Sequence, residues 1–182
     1  IDCLSVDKEN PIYDSRENCN AIIETSTNRL LIGSNTTTIP PTIEEIRDGA
    51  FNCARELESI YIPQSIKKIG KEAFHFCPNL KYITVDPANT VYDSRESCNA
   101  IIETATNTLV HGFKNTVIPS SIRSIENYAF YGCYVDSIII PNGVESISYG
   151  AFAECTSLES ITIPMSVSNV GEFAFQNCRL KK

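Results

Sequence analysis

Eight cysteines and two histidines are the side chains of this 182-residue chain with the most scope for chemistry. A thiol beside an imidazole can act as a nucleophile, and clustered Cys and His side chains can hold zinc. The spacing indicates neither, because Cys77, Cys133, Cys155 and Cys178 each lie three residues after the Phe of an Ala-Phe pair. One thiol per repeat gives a linear column without a tetrahedral cluster, and the chain contains no CxxC motif.

The column of four cysteines predicts buried free thiols that fill small gaps between repeats. Successive rungs of a stacked sheet lie about 4.8 Å apart. That spacing is within the Cα separation that a disulfide bridges, so pairing is an alternative that the geometry allows. Cys53 is displaced by one place from the column, and Cys3, Cys19 and Cys98 belong to other parts of the repeat.

The two histidines do not complete a catalytic site. His75 lies beside the Phe of an Ala-Phe pair and His111 lies in a predicted strand, and neither recurs at the matching position of another repeat. Catalysis needs a nucleophile, a base and a stabilising group that converge. The chain also lacks a glycine-rich phosphate loop and a His-Glu zinc motif. We therefore predict no enzymatic activity and no cofactor.

A set of oxygen-bearing side chains occurs twice, at an offset of 79 residues: Asp7, Asn10, Asp14, Asp86, Asn89 and Asp93. Carboxylate and amide oxygens are suitable ligands for calcium. The same residue types also bind the backbone groups of turns and strand ends through their side chains. The turn interpretation is favoured, and no metal site is predicted.

A sequence repeat positions all of these residues. The pattern I-P-x-S-[IV]-x-x-[IV]-x-x-x-A-F-x-x-C recurs at a step of about 23 residues, and Ile62-Pro63, Ile140-Pro141 and Ile163-Pro164 open three of its copies. A unit this short cannot bury its own apolar face, so consecutive units must stack around a shared core. The sequence therefore predicts a solenoid.

The spacing predicts seven coils, two of which are longer than the others. Residues 7–28 and 86–107 are identical at 16 of 22 positions, which indicates a duplicated 79-residue super-repeat beginning near residues 1 and 80. A single domain over residues 1–182 is expected. Because neither end has a polar capping unit, we expect a fragment of a longer array, or end-to-end stacking of neighbouring molecules.

Each coil is expected to contribute one strand to a parallel sheet along one wall, because Leu57, Ile60 and Ile62 follow the pattern of a half-buried strand. Residues 71–74 are predicted to form a short helical turn. In the long coils, residues 21–32 and 99–112 are predicted to form β-hairpins that are inserted into the coil and project from its edge.

The bulk composition argues against two classes of partner. The net charge is −7 and the 15 basic residues are scattered along the chain. The sequence therefore has no basic stripe of the kind that would indicate binding to nucleic acid or to an anionic membrane. No apolar run approaches the ~18 residues of a membrane-spanning helix. Any export signal or anchor would have to lie outside these residues.

The repeat resembles the Treponema pallidum type of leucine-rich repeat, also called the BspA-like family. The match covers essentially all 182 positions, and the Ala-Phe-x-x-Cys end distinguishes it from longer leucine-rich repeats. The insert Y-D-S-R-E-x-C-N-A-I-I-E-T-x-T-N is similar to long coils of gut Bacteroides members. The resemblance implies a right-handed α/β solenoid with a parallel sheet on one wall, short helical turns and two inserted β-hairpins.

The resemblance also implies an extracellular or cell-surface location and a role in adhesion. We expect a module that binds a protein of the host matrix or of a bacterial surface. The alternative is a glycan-binding repeat, or a structural spacer that displays another domain. Members of the family share a scaffold without a defined set of ligand-contacting residues, so no site carries over residue by residue.

The candidate binding surface is the exposed side of the strand wall, because regular strands present a wide preformed platform. Tyr61 and Tyr82 on adjacent rungs, with Ile139 further along, place large apolar surface there, and Tyr is a common anchor at interfaces. Tyr is also a good strand former, so a purely structural role is the alternative. The candidate positions are Glu58, Ser59, Tyr61, Lys81, Tyr82, Thr84, Asp136, Ser137, Ile139, Glu159, Ser160 and Thr162.

Overall fold

The computed structural model describes residues 3–181. They divide into two compact units, one up to Thr90 and the other from Val91. Helical structure in the described residues is limited to two 3-10 turns, Arg16–Asn18 and Arg95–Ser97. The fold is a β-solenoid, which corrects the α/β class expected from the sequence. Within residues 3–181, no helix has the length and apolar character that crossing a bilayer requires.

In its described residues the first unit has seven strands: β1 (Tyr13–Asp14), β2 (Ala21–Glu24), β3 (Arg29–Gly33), β4 (Glu45–Ile46), β5 (Ser59–Ile62), β6 (Lys68–Ile69) and β7 (Tyr82–Val85). One sheet has the order β1-β2-β3-β4-β6. In it, β1, β2 and β3 pair antiparallel, whereas β3, β4 and β6 pair in parallel. A separate parallel sheet consists of β5 and β7.

The described part of the second unit has eight strands: β8 (Tyr92–Asp93), β9 (Ala100–Glu103), β10 (Thr108–Gly112), β11 (Ser124–Ile125), β12 (Ser137–Ile139), β13 (Ser146–Ile147), β14 (Ser160–Thr162) and β15 (Asn169–Val170). The larger sheet has the order β8-β9-β10-β11-β13-β15, and β12 pairs in parallel with β14. This arrangement repeats that of the first unit, as the duplicated sequence requires.

The long coils differ from the inserted hairpins that the sequence predicted. β2 and β3 do pair antiparallel, with Glu24 opposite Arg29. The pair does not project as a flap, because Leu30 and its counterpart Leu109 are fully buried. β3 and β10 also continue in parallel into β4 and β11. The second strand of each pair is therefore a regular rung of the larger sheet rather than an insertion.

Residues 71–74 form no helix, which corrects the predicted helical turn. Glu72 precedes Ala73 with a φ of +57°, and Phe76 follows with a φ of +52°. Left-handed residues interrupt the succession of helical hydrogen bonds. The carbonyl oxygens of this segment accept hydrogen bonds from the preceding coil instead: that of Ala73 accepts the Phe51 N–H at 2.8 Å, and that of Lys71 accepts the Gly49 N–H at 3.0 Å.

Two left-handed positions recur around each of the five Ala-Phe pairs. The residue before the Ala is left-handed in every case, and these residues are Gly49, Glu72, Tyr128, Gly150 and Phe173. The residue two places after the Phe is left-handed as well, and these residues are Cys53, Phe76, Gly132, Glu154 and Asn177. Glycine fills only three of the ten positions, so the pattern of residue types did not reveal this backbone requirement.

The phenylalanines of the Ala-Phe pairs stack in the core of each unit. In the first unit the ring centroids of Phe51 and Phe74 are 5.1 Å apart. In the second unit Phe152 stacks on Phe130 at 4.8 Å and on Phe175 at 5.5 Å. The planes lie within 14° of parallel in all three pairs. These columns confirm the shared apolar interior expected from the repeat.

Candidate functional site

β5 and β7 present the candidate residues of the first unit. Side chains alternate along a strand, so Ile60 and Ile62 are buried while Ser59 and Tyr61 are exposed. The parallel register places Tyr82 opposite Ser59 and Thr84 opposite Tyr61. The two tyrosines are thus diagonal neighbours on one face. Each stands beside a small side chain, which leaves its ring accessible from the side.

The two tyrosines differ in how firmly they are held. The Tyr61 hydroxyl donates a hydrogen bond to Oδ2 of Asp86 at 2.6 Å. This bond raises the pKa of Tyr61 and lowers that of Asp86, because it favours the protonated phenol and the ionised carboxylate. Tyr82 is 67% exposed, compared with 50% for Tyr61, and its hydroxyl is bonded to no residue between 3 and 181. Tyr82 is therefore the better placed of the two to meet a partner.

The charged candidates beside Tyr82 pair with each other. Lys81 Nζ lies 3.5 Å from a carboxylate oxygen of Glu58, and both side chains are well exposed. The Lys81 N–H also donates to the Glu58 carbonyl oxygen at 2.9 Å. An exposed ion pair of this kind contributes little stability. Its effect is to cancel charge beside Tyr82, so the aromatic ring dominates this surface.

β12 and β14 present the corresponding residues of the second unit. Ser137 lies opposite Ser160, and Ile139 lies opposite Thr162. Ile139 is 86% exposed. Glu159, just before β14, accepts a hydrogen bond from Lys181. This surface has one large apolar side chain among small polar ones and carries no aromatic ring on its strands.

All twelve candidate side chains are exposed, with six in each unit. Their exposure follows from the alternation of the strands, which the sequence predicted. Asp136, for example, lies just before β12 and faces solvent. Contact of these residues with a ligand stays a prediction.

The cysteine column has a role that the sequence did not reveal. The thiol of Cys155 donates a hydrogen bond to the carbonyl oxygen of Phe130 at 3.0 Å, and Cys178 donates to Phe152 at 3.1 Å. In the first unit, Cys77 donates to the carbonyl oxygen of Phe51 at 3.1 Å. Each thiol thus binds the coil that precedes its own. No disulfide joins the cysteines of residues 3–181.

Burial makes these thiols poor nucleophiles. It raises the pKa of Cys77 to about 12 and that of Cys98 to about 11, and it raises the pKa of Cys155 as well. The thiolate is the reactive form of cysteine, so these side chains remain protonated near neutral pH. His75 and His111 are both buried, and they belong to different units.

The oxygen-bearing side chains considered as calcium ligands serve turns and ion pairs. Both carboxylate oxygens of Asp93 accept hydrogen bonds from the Arg95 guanidinium, at 2.8 and 2.6 Å. Arg95 also donates to Oδ1 of Asn107 at 2.7 Å, which ties the start of the long coil to its hairpin turn. The Asn89 amide donates to two carbonyl oxygens at 3.0 Å. These contacts support the turn interpretation.

An aromatic row on the turn side of the second unit was not predicted from the sequence. We define the aromatic row as Tyr128, Tyr131, Tyr149 and Phe173. Ring centroids are 5.5 Å apart between Tyr131 and Tyr128, 5.4 Å between Tyr128 and Tyr149, and 5.4 Å between Tyr149 and Phe173, and every contact is edge to face. The available signal was an aromatic residue just before three successive Ala-Phe or Gly-Ala-Phe segments.

A family model matches most of the chain. Residues 18–106 and 101–182 match the model of the BspA type leucine rich repeat region, in six copies. A search of the curated proteins finds no match.

Three solved structures share the fold. The pneumococcal vaccine antigen PcpA is 20% identical, with a TM-score of 0.62 over 82% of this chain and 47% of that protein. A leucine-rich repeat protein from Eubacterium ventriosum is 23% identical, with a TM-score of 0.64 over 78% and 45%. A leucine rich cell surface protein from Faecalibacterium prausnitzii is 27% identical, with a TM-score of 0.58 over 78% and 45%. The chain spans less than half the length of each.

Proposed function

Because the chain belongs to the BspA-type leucine-rich-repeat family, we propose that it is an extracellular protein-binding module with a role in adhesion. The observation that carries this proposal is Tyr82, an aromatic side chain that is 67% exposed on a rigid parallel strand pair. The partner of this module is a protein of the host matrix or of a bacterial surface. The similar protein from Faecalibacterium prausnitzii, described as a cell surface protein, supports the same location for this chain.

Tyr82 has the properties of an interface anchor. Its neighbours in β7 are the buried Ile83 and Val85, so the backbone beneath the ring is fixed before a partner arrives. A tyrosine has only two side-chain torsions to immobilise and combines apolar area with a hydroxyl donor. The paired charges of Glu58 and Lys81 form a polar rim at one side of the ring. An apolar centre with a polar rim is the usual arrangement of a protein interface.

Binding to immobilised extracellular-matrix proteins, followed by biolayer interferometry, tests this proposal. For any matrix protein that binds the wild-type chain, Tyr82→Ala should weaken binding by about tenfold or more, as expected for an anchor. Tyr82→Phe should retain most of the affinity if ring area dominates. Tyr134→Ala removes an exposed tyrosine of the second unit and is the matched control.

Two results would contradict the proposal. Equal binding by the wild type and Tyr82→Ala would remove this surface from the interface. Absence of binding to every matrix and bacterial surface protein, together with clear hits on a glycan array, would favour the glycan-binding alternative.

A further inference from the structure

We propose that the aromatic row of the second unit is a second binding surface, and that its ligand is an extended basic segment of another protein. The row lies on the turns around the Ala-Phe pairs, so it does not include any residue of the β12 and β14 wall. It is also independent of Tyr82, which belongs to the first unit.

The row is held rigidly. The Tyr128 N–H donates to the carbonyl oxygen of Tyr149 at 3.0 Å, and the Gly150 N–H donates to that of Glu172 at 3.0 Å. The Tyr149 N–H is bound by Oδ1 of Asn127 at 3.1 Å. These bonds fix the step from one ring to the next, and the edge-to-face contacts fix the ring orientations. The surface is therefore formed before a ligand binds.

The fold sets the backbone conformation beneath the row, whatever residue type stands there. Tyr128 and Phe173 have φ values of +59° and +57°, and Gly49, Glu72 and Gly150 occupy the same position of other coils with positive φ values as well. An aromatic residue is therefore not required at this position. Tyr149 exposes 39% of its surface and Phe173 exposes 52%, so these two rings are accessible to a ligand.

The first unit has a different surface at the equivalent positions. Asp48 and Gly49 precede one Ala-Phe pair, and Lys71 and Glu72 precede the next. No aromatic side chain stands there, although Phe51 and Phe74 stack in the core as in the second unit. The stacked fold therefore does not need the aromatic row. The row is a property of the second unit alone.

The charge around the row selects a cationic ligand. The three segments that carry it, residues 126–133, 148–155 and 171–178, contain Glu126, Glu154 and Glu172 but no lysine or arginine. A cation placed over an aromatic face is attracted by the electrons of the ring, and the carboxylates add long-range attraction. Arginine can make both kinds of interaction, because its flat guanidinium stacks on aromatic rings and also pairs with carboxylates.

The spacing of the row fits a polyproline II segment. The ring centroids are 5.4 Å apart from Tyr128 to Tyr149 and 5.4 Å apart from Tyr149 to Phe173, so the two steps together span at most 10.8 Å. One turn of polyproline II, three residues at about 3.1 Å each, spans about 9.3 Å. A cationic side chain at every third residue can therefore meet Tyr128 and Phe173 in turn, and the intervening prolines can pack on Tyr149. Proline-rich segments are commonly recognised by aromatic-lined surfaces.

Fluorescence anisotropy with labelled synthetic peptides tests the inference. The peptides are (Arg-Pro-Pro)n and, as the uncharged counterpart, (Gln-Pro-Pro)n. The wild-type chain should bind the arginine peptide at least tenfold more tightly than the glutamine peptide, and binding should weaken as salt is raised. Phe173→Gly should reduce the affinity at least tenfold while it keeps the fold, since glycine relieves the left-handed strain.

Controls separate this surface from the rest of the molecule. Glu72→Gly makes the same kind of change at the equivalent left-handed position of the first unit, and it should leave peptide binding unchanged. Glu172→Gln keeps every ring and should weaken binding about threefold, which tests the surface even if Phe173→Gly proves unstable. Tyr82→Ala should not affect this peptide, so failure of the function proposed above is distinguishable from failure here.

Three results would overturn the inference. One is the absence of any binding to (Arg-Pro-Pro)n by the wild-type chain. Another is equal binding by the wild type and the folded Phe173→Gly and Glu172→Gln variants. The third is equal affinity for the arginine and glutamine peptides.

Discussion

The thiol of Cys155 donates a hydrogen bond to the carbonyl oxygen of Phe130, across 3.0 Å and from one coil to the coil before it. Both residues are fully buried. The same carbonyl oxygen also accepts the Cys133 N–H at 2.9 Å, so the thiol is its second donor and links it to the following coil. The Cys of the repeat thus joins consecutive coils through a directional contact, as well as filling volume.

Cys155→Ala should destabilise the protein by about 1–3 kcal/mol, because it removes this bond and opens a small cavity. Guanidinium unfolding followed by circular dichroism measures the change. Cys53→Ala, at an exposed position, should shift stability by less than about 0.5 kcal/mol. Equal stability of Cys155→Ala and the wild type would show that the thiol contact contributes nothing.

Alkylation of the native protein at mildly alkaline pH should separate the cysteines into two groups. Cys3 and Cys53 are exposed and should be modified quickly. Cys77, with its pKa raised to about 12 by burial, and Cys155 should react only after denaturant is added. Peptide mass spectrometry at timed intervals gives the rate for each site. Labelling of Cys155 as fast as Cys53 would contradict the burial described here.

Gly112→Ala should destabilise the second unit strongly. A Cβ at Gly112 would lie 2.1 Å from Cε1 of Phe130, a buried ring that stacks on Phe152 and cannot move aside. Overpacking of this kind costs about 3 kcal/mol. Gly49→Ala places its Cβ 3.9 Å from the nearest atom and should cost only about 1 kcal/mol, for the left-handed backbone. Comparable losses in the two variants would argue against the tight contact at Gly112.

Acid should remove a stabilising contribution from Asp14. Hydrogen bonding to Arg16 lowers the pKa of Asp14 from 3.8 to about 2. A carboxylate with a lowered folded pKa stabilises the protein above its unfolded pKa and loses that effect as the pH falls through the folded value. The contribution is therefore present above about pH 4 and is lost between about pH 4 and 2.

Urea unfolding at a series of pH values between 5 and 2 measures this effect. Asp14→Asn should be less stable than the wild type at pH 5, and the difference should shrink toward pH 2. Asp136→Asn changes an exposed carboxylate that lies outside the Asp14–Arg16 pair and is the control. A constant difference between wild type and Asp14→Asn over the whole range would contradict the role given to the Asp14 carboxylate.

The stacked core was predictable from the sequence because its signal is periodic. Phe130 and Phe152 each follow an Ala, one repeat apart, so they occupy equivalent positions in consecutive coils and stack on each other. The exposed face of β5 was predictable for the same reason, since strand alternation fixes which side chains face solvent. The sequence could not show that Tyr82 is less restrained than Tyr61, because this difference depends on the hydrogen bond between Tyr61 and Asp86.

The failed predictions concern backbone geometry that residue types do not encode. Glu72 is left-handed although glutamate does not prefer that region, so a helical turn was expected over residues 71–74, where the carbonyl oxygens of Lys71 and Ala73 accept bonds from the preceding coil. The hairpin of the long coil was expected to project because its length looked like an insertion. Its second strand instead takes the place of a rung, with Leu30 in the core, and only the pairing with β4 reveals this.

Hydroxyl-radical footprinting of Tyr82, with and without a matrix or bacterial surface protein that binds the chain, shows whether the strand wall of the first unit is the interface. We expect oxidation of Tyr82 to fall markedly in the complex, while oxidation of the exposed Tyr134 in the second unit stays the same. Oxidation of Tyr82 at an unchanged rate in a saturated complex would contradict the claim that this strand wall meets the partner.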